Sequence, residues 1–125
     1  MTEQARDGEP GSDVAHDRGE IPEAAVVDHA VTVLRLLADR TRLAILSMLD
    51  GTEMSVTSIA EALGRPVPAV SQHLARLRAA GVVTVRRQGT TVFYGQPDEH
   101  LAALVRNTLQ LSEHALYTVP PHHRR

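Results

Sequence analysis

Apolar residues recur with helical spacing along most of the chain, most clearly from Val67 to Gly81. In that stretch Val70, Leu74 and Leu77 stand at i, i+4 and i+7, which predicts a helix with one apolar stripe packed inward. Its other side carries small or polar residues, namely Ala69, Gln72, Ala75, Arg76 and Ala79. A helix face of such low relief suits the floor of a DNA major groove better than it suits an apolar partner. The glycine at position 81 predicts where this helix stops.

The chain before this helix predicts three more. Residues 23–38 form the first, and its apolar face is wider than one small core needs, so part of it is expected to pack against a second subunit. Asp39 and Ser55 are the predicted N-caps of the second and third helices, and Gly51 and Gly64 are their predicted stops. The inward-facing residues expected on these two helices are Leu43, Ile45, Leu46, Leu49, Val56, Ile59, Ala60 and Leu63.

Beyond Gly81 the pattern changes to two short β-prone runs. Val82–Arg87 and Thr91–Tyr94 are expected to form a hairpin with its turn at Gln88-Gly89. Pro97 is then expected to begin a last helix. The apolar stripe predicted on that helix consists of Leu101, Leu104, Val105, Thr108, Leu111 and Ala115. Two helices, a short turn and a basic hairpin together predict a mainly α fold with a β-hairpin wing, the winged helix-turn-helix.

Length and composition predict one folded domain between two tails. With 125 residues the chain has room for a single modest core. Residues 1–22 combine few apolar side chains with several Gly, Pro, Asp and Glu residues, which predicts a disordered acidic tail. We therefore expect a DNA-binding and dimerisation domain over residues 23–117 and a His-rich tail over residues 118–125.

The absence of cysteine excludes disulfides and thiolate metal ligands. No apolar run approaches the ~18 residues of a membrane span, and the acidic N-terminus does not resemble a signal peptide. We therefore expect a cytoplasmic protein with no membrane partner.

Charge is distributed unevenly along the chain. The net charge is −2, but residues 1–30 alone carry −6, which leaves +4 for the remainder. No acidic residue occurs between Glu61 and Asp98. The arginines in that interval are Arg65, Arg76, Arg78, Arg86 and Arg87. A basic patch on the recognition half predicts a nucleic-acid partner, which for a helix-turn-helix is double-stranded DNA, and the alternative is an ordinary solvated positive face.

The predicted recognition helix and wing supply candidate DNA contacts. Ser71, Gln72, His73 and Arg76 are expected to reach base edges, with Gln72 favouring adenine and Arg76 favouring guanine. For His73, near the edge of the apolar stripe, a half-buried packing role is the alternative. The wing residues expected to reach phosphates or the flanking minor groove are Arg86, Arg87, Gln88, Gly89 and Thr90.

Two segments, LADRTRLAIL and PAVSQHLARLRAAGVVTVRRQGTTVFY, resemble the ArsR/SmtB family of bacterial metal-sensing repressors. The resemblance covers roughly residues 30–116. It implies a winged-helix homodimer that binds operator DNA when metal-free and leaves it when metal binds. Residues 71–73 match the recognition-helix core of the family, and residues 86–91 match its wing.

The same resemblance implies where a metal site would lie. One family site needs Cys-x-Cys at about residues 55–57, which this chain lacks. A second site, on the last helix, is matched at Asp98, His100 and His114, but Leu111 replaces its remaining ligand. That departure counts against a simple four-ligand zinc site.

Further donors follow Leu111. Glu113 stands beside His114, and His122 and His123 lie in the tail. This arrangement resembles a nickel/cobalt-sensing branch of the family, and these metals accept five or six nitrogen and oxygen donors. The expected effector is therefore nickel or cobalt, with zinc as an alternative.

Helix geometry places a condition on this site. His100 and His114 are fourteen residues apart, so one straight helix would separate them by ~21 Å. Because ligand atoms lie about 2 Å from a metal, both cannot bind one ion within a single chain. Two antiparallel copies around a two-fold axis would bring His100 of one chain to Glu113 and His114 of the other.

Other interpretations stay open. The His and Glu residues could be exposed polar residues on a dimer helix, and Asp98 could be a helix N-terminal charge. The protein would then be a winged-helix regulator that senses no metal. A metal-dependent hydrolase is disfavoured because no His-Glu-x-x-His, Gly-x-Ser-x-Gly or phosphate-binding loop occurs, so we expect no enzyme.

Overall fold

The computed structural model describes residues 19–96 and 98–118, which form five helices and three strands. Residues 1–18, Pro97 and residues 119–125 lie outside the described part, so most of the predicted acidic tail and both tail histidines, His122 and His123, are not described. In chain order the elements are α1 (Ala24–Leu37), α2 (Arg40–Met48), β1 (Glu53–Ser55), α3 (Val56–Leu63), α4 (Val67–Ala79), β2 (Thr84–Gln88), β3 (Thr91–Gly95) and α5 (Glu99–Tyr117).

The chain divides into two compact units, Met1–Arg35 and Leu36–Arg125. The first contains most of α1, whose extent agrees with the predicted 23–38 within one residue at either end. Its large apolar side chains that remain exposed are Val26, Val27, Val31 and Leu34. Packing of this face against a second subunit stays a prediction.

The second unit is built around one apolar core. The stripe predicted for the central helix is confirmed, because Val70, Leu74 and Leu77 of α4 are completely buried. The other buried apolar residues are Leu37, Ile45, Leu46, Leu49, Ile59, Ala60, Val83, Leu101, Ala102 and Val105. Helix α4 therefore has one face fully inside the protein, which leaves its opposite face for other contacts.

The predicted helix starts at Asp39 and Ser55 and the predicted stop at Gly64 are also confirmed, whereas α2 ends at Met48, before the predicted stop at Gly51. Asp39 is the N-cap of α2 and accepts a hydrogen bond from the Arg42 backbone N–H at 2.9 Å. Ser55 caps α3 in the same way through the Ser58 N–H at 3.1 Å. Gly64 ends α3 in the left-handed conformation, with φ 64°.

Replacing Asp39 with alanine is expected to lower the free energy of unfolding by about 1 kcal/mol. The hydrogen bond from the Arg42 N–H, with the nearby Arg42 and His73 charges, holds the pKa of Asp39 below its ordinary value. Because the folded-state pKa is the lower one, this stabilisation is complete above the unfolded-state pKa of about 4 and is lost as pH falls through the folded-state pKa. Urea unfolding of wild type and Asp39→Ala at pH values between about 7 and 2 measures both effects.

Asp39→Asn provides the control, because it keeps a capping oxygen but does not titrate. It should retain most of the stability and show no pH dependence from this site. A wild-type advantage over Asp39→Ala that stays constant down to pH ~2 would contradict the assignment.

The sheet differs from the predicted hairpin in two respects. It has three antiparallel strands in the order β1-β3-β2, and the short β1 strand was not predicted. The turn is one residue later than predicted, because Gln88 pairs with Thr91 and the loop is Gly89-Thr90. Gly89 has φ 64°, a conformation that a two-residue hairpin loop requires and that glycine adopts without strain.

Helix α5 begins at Glu99 and not at Pro97, because Asp98 is its N-cap. The predicted apolar stripe is correct only in the first half of this helix, where Leu101 and Val105 are buried and Leu104 is half-buried. In the second half Thr108, Leu111 and Ala115 are exposed, so a single chain buries only the first half of the stripe.

The reason is that α5 packs beside the short α2 and then continues past it. Arg106 fastens the packed half of α5 to Asp50, which follows α2, because its guanidinium donates to Asp50 at 2.7 and 2.9 Å. The same guanidinium donates to Glu99 at 2.7 Å.

None of the described helices is both long and apolar enough to cross a membrane.

Candidate nucleic-acid interface and candidate metal centre

The turn between α3 and α4 sets the direction of the second helix. Three residues, Gly64 to Pro66, join the two helices. The Arg65 N–H donates to the Ala60 carbonyl at 3.1 Å, and the Arg65 guanidinium donates to Thr41 Oγ1 of α2 at 2.8 Å. Arg65 therefore ties the turn to the second unit's core helices. The spacing and the φ of Gly64 are those of a helix-turn-helix.

The outer face of α4 carries exposed polar side chains. Ser71, Gln72 and Arg76 are all exposed, on the side opposite the buried stripe. Within the described part of the chain, no hydrogen bond or ion pair engages any of these three side chains. Arg76 and Arg78 place two positive charges in the last turn of the helix. Ser71, Gln72 and Arg76 are three of the four α4 residues that the sequence predicts to reach base edges, and their contact with DNA stays a prediction.

His73 lies differently from the other predicted base-contacting residues. Its side chain is only 22 % exposed, and its Nδ1 is 3.6 Å from Asp39 Oδ2. That separation is too long for a hydrogen bond, and this buried nitrogen has no hydrogen-bond partner in the described residues. The placement corresponds to the packing alternative, in which His73 rests against the N-cap of α2. A contact with DNA stays a prediction.

The wing presents its two arginines on opposite faces, because neighbouring residues of a strand alternate. Arg87 is exposed, and no hydrogen bond or ion pair to it occurs in the described residues. Arg86 is engaged by the sheet: Nε and one terminal nitrogen each lie 2.9 Å from Glu53 Oε1. Its other terminal nitrogen donates to Gln88 Oε1 at 2.9 Å, and its guanidinium lies 4.7 Å above the centre of the Phe93 ring. Gly89 and Thr90 form the exposed tip.

Glu53 is the residue of this region that the sequence analysis missed. The stretch from 62 to 97 has no acid in sequence, but folding brings Glu53 of β1 to Arg86 and Asp39 to His73. Only the pairing of β1 with β3, across Glu53 and Gly95, reveals the first contact. The basic surface is therefore smaller than the sequence indicated.

The start of α5 holds the first pair of candidate metal ligands. Asp98 Oδ1 accepts from the His100 backbone N–H at 2.6 Å and lies 3.1 Å from His100 Nδ1. The first of these hydrogen bonds, supported by the second, lowers the pKa of Asp98. The His100 side chain is completely exposed. Asp98 thus acts as the helix N-cap, as its alternative interpretation expected, and also as a hydrogen-bond partner of the His100 ring.

The second pair lies at the other end of the same helix. Glu113 and His114 are exposed near the end of α5. One chain does not bring them to His100, because α5 is a continuous helix from Glu99 to Tyr117. Among residues 19–96 and 98–118, no group of three or more His, Asp or Glu side chains is close enough to hold an ion.

Comparison with known proteins matches the middle of the chain to a helix-turn-helix domain. Residues 37–86 match a helix-turn-helix domain family. The chain is 50 % identical over 94 residues to the HTH-type transcriptional regulator KmtR of Mycobacterium tuberculosis, covering 75 % of this chain and 72 % of KmtR. It is 44 % identical over 84 residues to the HTH-type transcriptional repressor SmtB of the same species, covering 67 % of this chain and 62 % of SmtB.

Solved structures with this fold include two informative neighbours. One is the homodimeric winged helix-turn-helix DNA-binding domain Mb0332 of Mycobacterium bovis, described as a possible ArsR-family regulator. It has a TM-score of 0.69 and 32 % identity, over 84 % of this chain and 98 % of that one. The other is AntR, an antimony-specific transcriptional repressor, with a TM-score of 0.71 and 28 % identity over 78 % of this chain and 88 % of AntR.

Proposed function

Since the chain belongs to the ArsR/SmtB family of winged-helix transcriptional regulators, we propose that it is a homodimeric repressor released from its operator by nickel or cobalt. Its relatives are transcriptional regulators and not enzymes. The observation that carries the DNA-binding part is the outer face of α4, opposite a completely buried stripe: its Ser71, Gln72 and Arg76 are exposed and have no partner among the described residues.

The proposed operator contacts divide between α4 and the wing. On α4, Ser71, Gln72 and Arg76 read base edges, with Gln72 suited to adenine and Arg76 to guanine. In the wing, Arg87 and the tip residues Gly89 and Thr90 approach phosphates. A two-fold dimer presents two copies of α4 to a palindromic site.

Arg76→Ala is expected to weaken operator binding by about 1–3 kcal/mol per contacted base pair and to relax the preference for guanine there. Arg78→Ala is the matched control, because this substitution removes the same charge from the same helical turn. Fluorescence anisotropy with operator duplexes carrying each base at the contacted position measures both effects. Equal losses for Arg76→Ala and Arg78→Ala, with unchanged base preference, would contradict base reading by Arg76.

The donors on α5 fit an ion of the nickel or cobalt type. They are imidazole and carboxylate groups, which these metals accept, and soft thiolates are absent from the chain. His100 is fully exposed with Asp98 at its Nδ1, and a carboxylate behind an imidazole is a frequent support for a ligating histidine. Glu113 and His114 of a second copy, with His122 and His123 as further candidates, would complete the set.

In this proposal the shared site couples metal to DNA through the dimer. An ion held by His100 of one protomer and by Glu113 and His114 of the other would join the two α5 helices. Holding these helices together favours a dimer arrangement in which the two α4 helices no longer match successive major grooves. A coupling of about 1–3 kcal/mol is typical, and by reciprocity operator DNA weakens metal binding by the same factor.

A mobility-shift assay on duplex DNA from upstream of the chain's own gene tests the proposal. We expect a shifted complex without metal and its loss on addition of nickel or cobalt. Absence of any shift would contradict the repressor assignment. Operator affinity unchanged by nickel, cobalt and zinc would favour the alternative, a dimeric regulator that does not sense metal.

A further inference from the structure

The geometry of the wing points to different tasks for its two adjacent arginines: we infer that Glu53 and Arg86 position the wing, and that Arg87 is its phosphate contact. This inference deepens the proposed DNA-binding function and rests on it. The sequence alone treats Arg86 and Arg87 alike, as two exposed cations at the base of the hairpin tip.

The sheet engages the whole guanidinium group of Arg86. All three guanidinium nitrogens have side-chain acceptors, two at Glu53 and one at Gln88, each at 2.9 Å. The guanidinium also lies over the ring of Phe93, which is its pairing partner on β3. A phosphate that approached Arg86 would be repelled by the Glu53 carboxylate unless it first displaced that carboxylate.

The sheet provides space for this ion pair. Glu53 of β1 and Thr84 of β2 both pair with Gly95 of the central strand, so Glu53 must extend across β3 to reach Arg86. A Cβ on residue 95 would lie only 3.2 Å from the Glu53 Cγ. The absence of a side chain at Gly95 therefore opens the path, and the contact ties the two edge strands together.

Arg87 lies on the other face of β2. Residues 83, 85 and 87 share that face: Val83 is buried, Val85 is half-buried and Arg87 is exposed, outside the core. Its guanidinium has no hydrogen bond or ion pair within the described residues, so its charge is not offset. Arg87 is thus the wing cation that is available to a phosphate.

The salt dependence of binding separates the two roles. We measure the affinity for a mixed-sequence duplex between about 50 and 200 mM salt for wild type, Arg87→Ala, Arg86→Ala and Glu53→Ala. Arg87→Ala should flatten the slope of log affinity against log salt by about 0.9 for each protomer that contacts the duplex. Arg86→Ala and Glu53→Ala should leave the slope unchanged and weaken binding alike, about two- to five-fold, because both loosen the wing.

Two further variants distinguish positioning from charge. The double variant Glu53→Ala/Arg86→Ala should bind no worse than either single variant, because the two residues act through one contact. Arg86→Lys should not restore the affinity, since lysine lacks the planar fork and the stacking surface, whereas a phosphate contact would accept it. Amide hydrogen exchange without DNA should be faster in Thr84–Gln88 for both single variants.

The inference is overturned if Arg86→Ala flattens the salt slope as Arg87→Ala does, if Glu53→Ala tightens binding, or if Arg86→Lys binds like wild type. If the wild-type chain binds no duplex, the proposed function and the role of Arg87 both fail. In that case the exchange rates alone decide whether Glu53 and Arg86 hold the wing.

Discussion

Replacing either His100 or His114 by alanine is expected to abolish the release of operator DNA by nickel or cobalt while leaving metal-free DNA binding unchanged. Each substitution removes one donor of the proposed shared site, and both side chains are exposed, so folding should not suffer. Each variant should lose the entire effect of metal on operator affinity, a factor of about 5 to 150. Anisotropy titrations with and without metal, together with the cobalt absorption spectrum, measure the response and the binding.

Mixing the two variants tests whether the site is shared between protomers. A heterodimer of one His100→Ala chain and one His114→Ala chain keeps one complete pair, His100 from one protomer and His114 from the other. The mixture should therefore recover part of the metal binding that each variant alone has lost. A site formed within one chain would recover nothing.

His29→Ala provides the matched control, because His29 is an exposed helical histidine outside the proposed donor set. It should bind and respond to metal like wild type. If His100→Ala and His114→Ala gave the same cobalt absorption spectrum as wild type, the proposed metal site would be contradicted. A chain that stays monomeric at micromolar concentration with nickel or cobalt present would contradict it as well.

Leu74→Ala is expected to lower the free energy of unfolding by about 2–5 kcal/mol, the largest effect on stability that we predict. Leu74 is completely buried at the middle of the α4 stripe, between Val70 and Leu77. Truncation removes apolar contacts and leaves a cavity that neighbouring side chains fill only in part. Because a small domain has only about 5–15 kcal/mol of stability, this loss is a large share of the total. Urea unfolding followed by circular dichroism measures it.

Gln72→Ala is the control within the same helix. Gln72 is exposed on the opposite face, so its replacement should change stability by less than about 0.5 kcal/mol but weaken operator binding. A cost below about 1 kcal/mol for Leu74→Ala would contradict the packing of α4 described above.

Local chemistry made much of this fold predictable. The buried stripe of α4 follows from residue spacing alone, because one helical face repeats every 3.6 residues. The starts of α2 and α3 follow from Asp39 and Ser55, whose side chains reach a backbone N–H only three residues away. Gly64 marks a left-handed residue for the same kind of local reason.

Contacts between residues far apart in the sequence could not be predicted from local patterns. Strand β1 has three residues and no pattern of its own, so it exists only through its pairing with β3. The ion pair of Glu53 with Arg86 joins residues 33 positions apart, and it engages an arginine that the sequence treats as a DNA contact. The second half of α5 has an apolar pattern but no partner surface within the described unit.

The difference between predictable and unpredictable features has one physical cause. Helix spacing, capping and glycine turns depend on interactions within about four residues, which the order of amino acids states directly. Strand pairing, ion pairs and the burial of a helix face depend on which distant segments meet, and that is settled when the whole core packs. The residues on the outer face of α4 were therefore identified from sequence, whereas the separate surroundings of Arg86 and Arg87 became evident only in the folded chain.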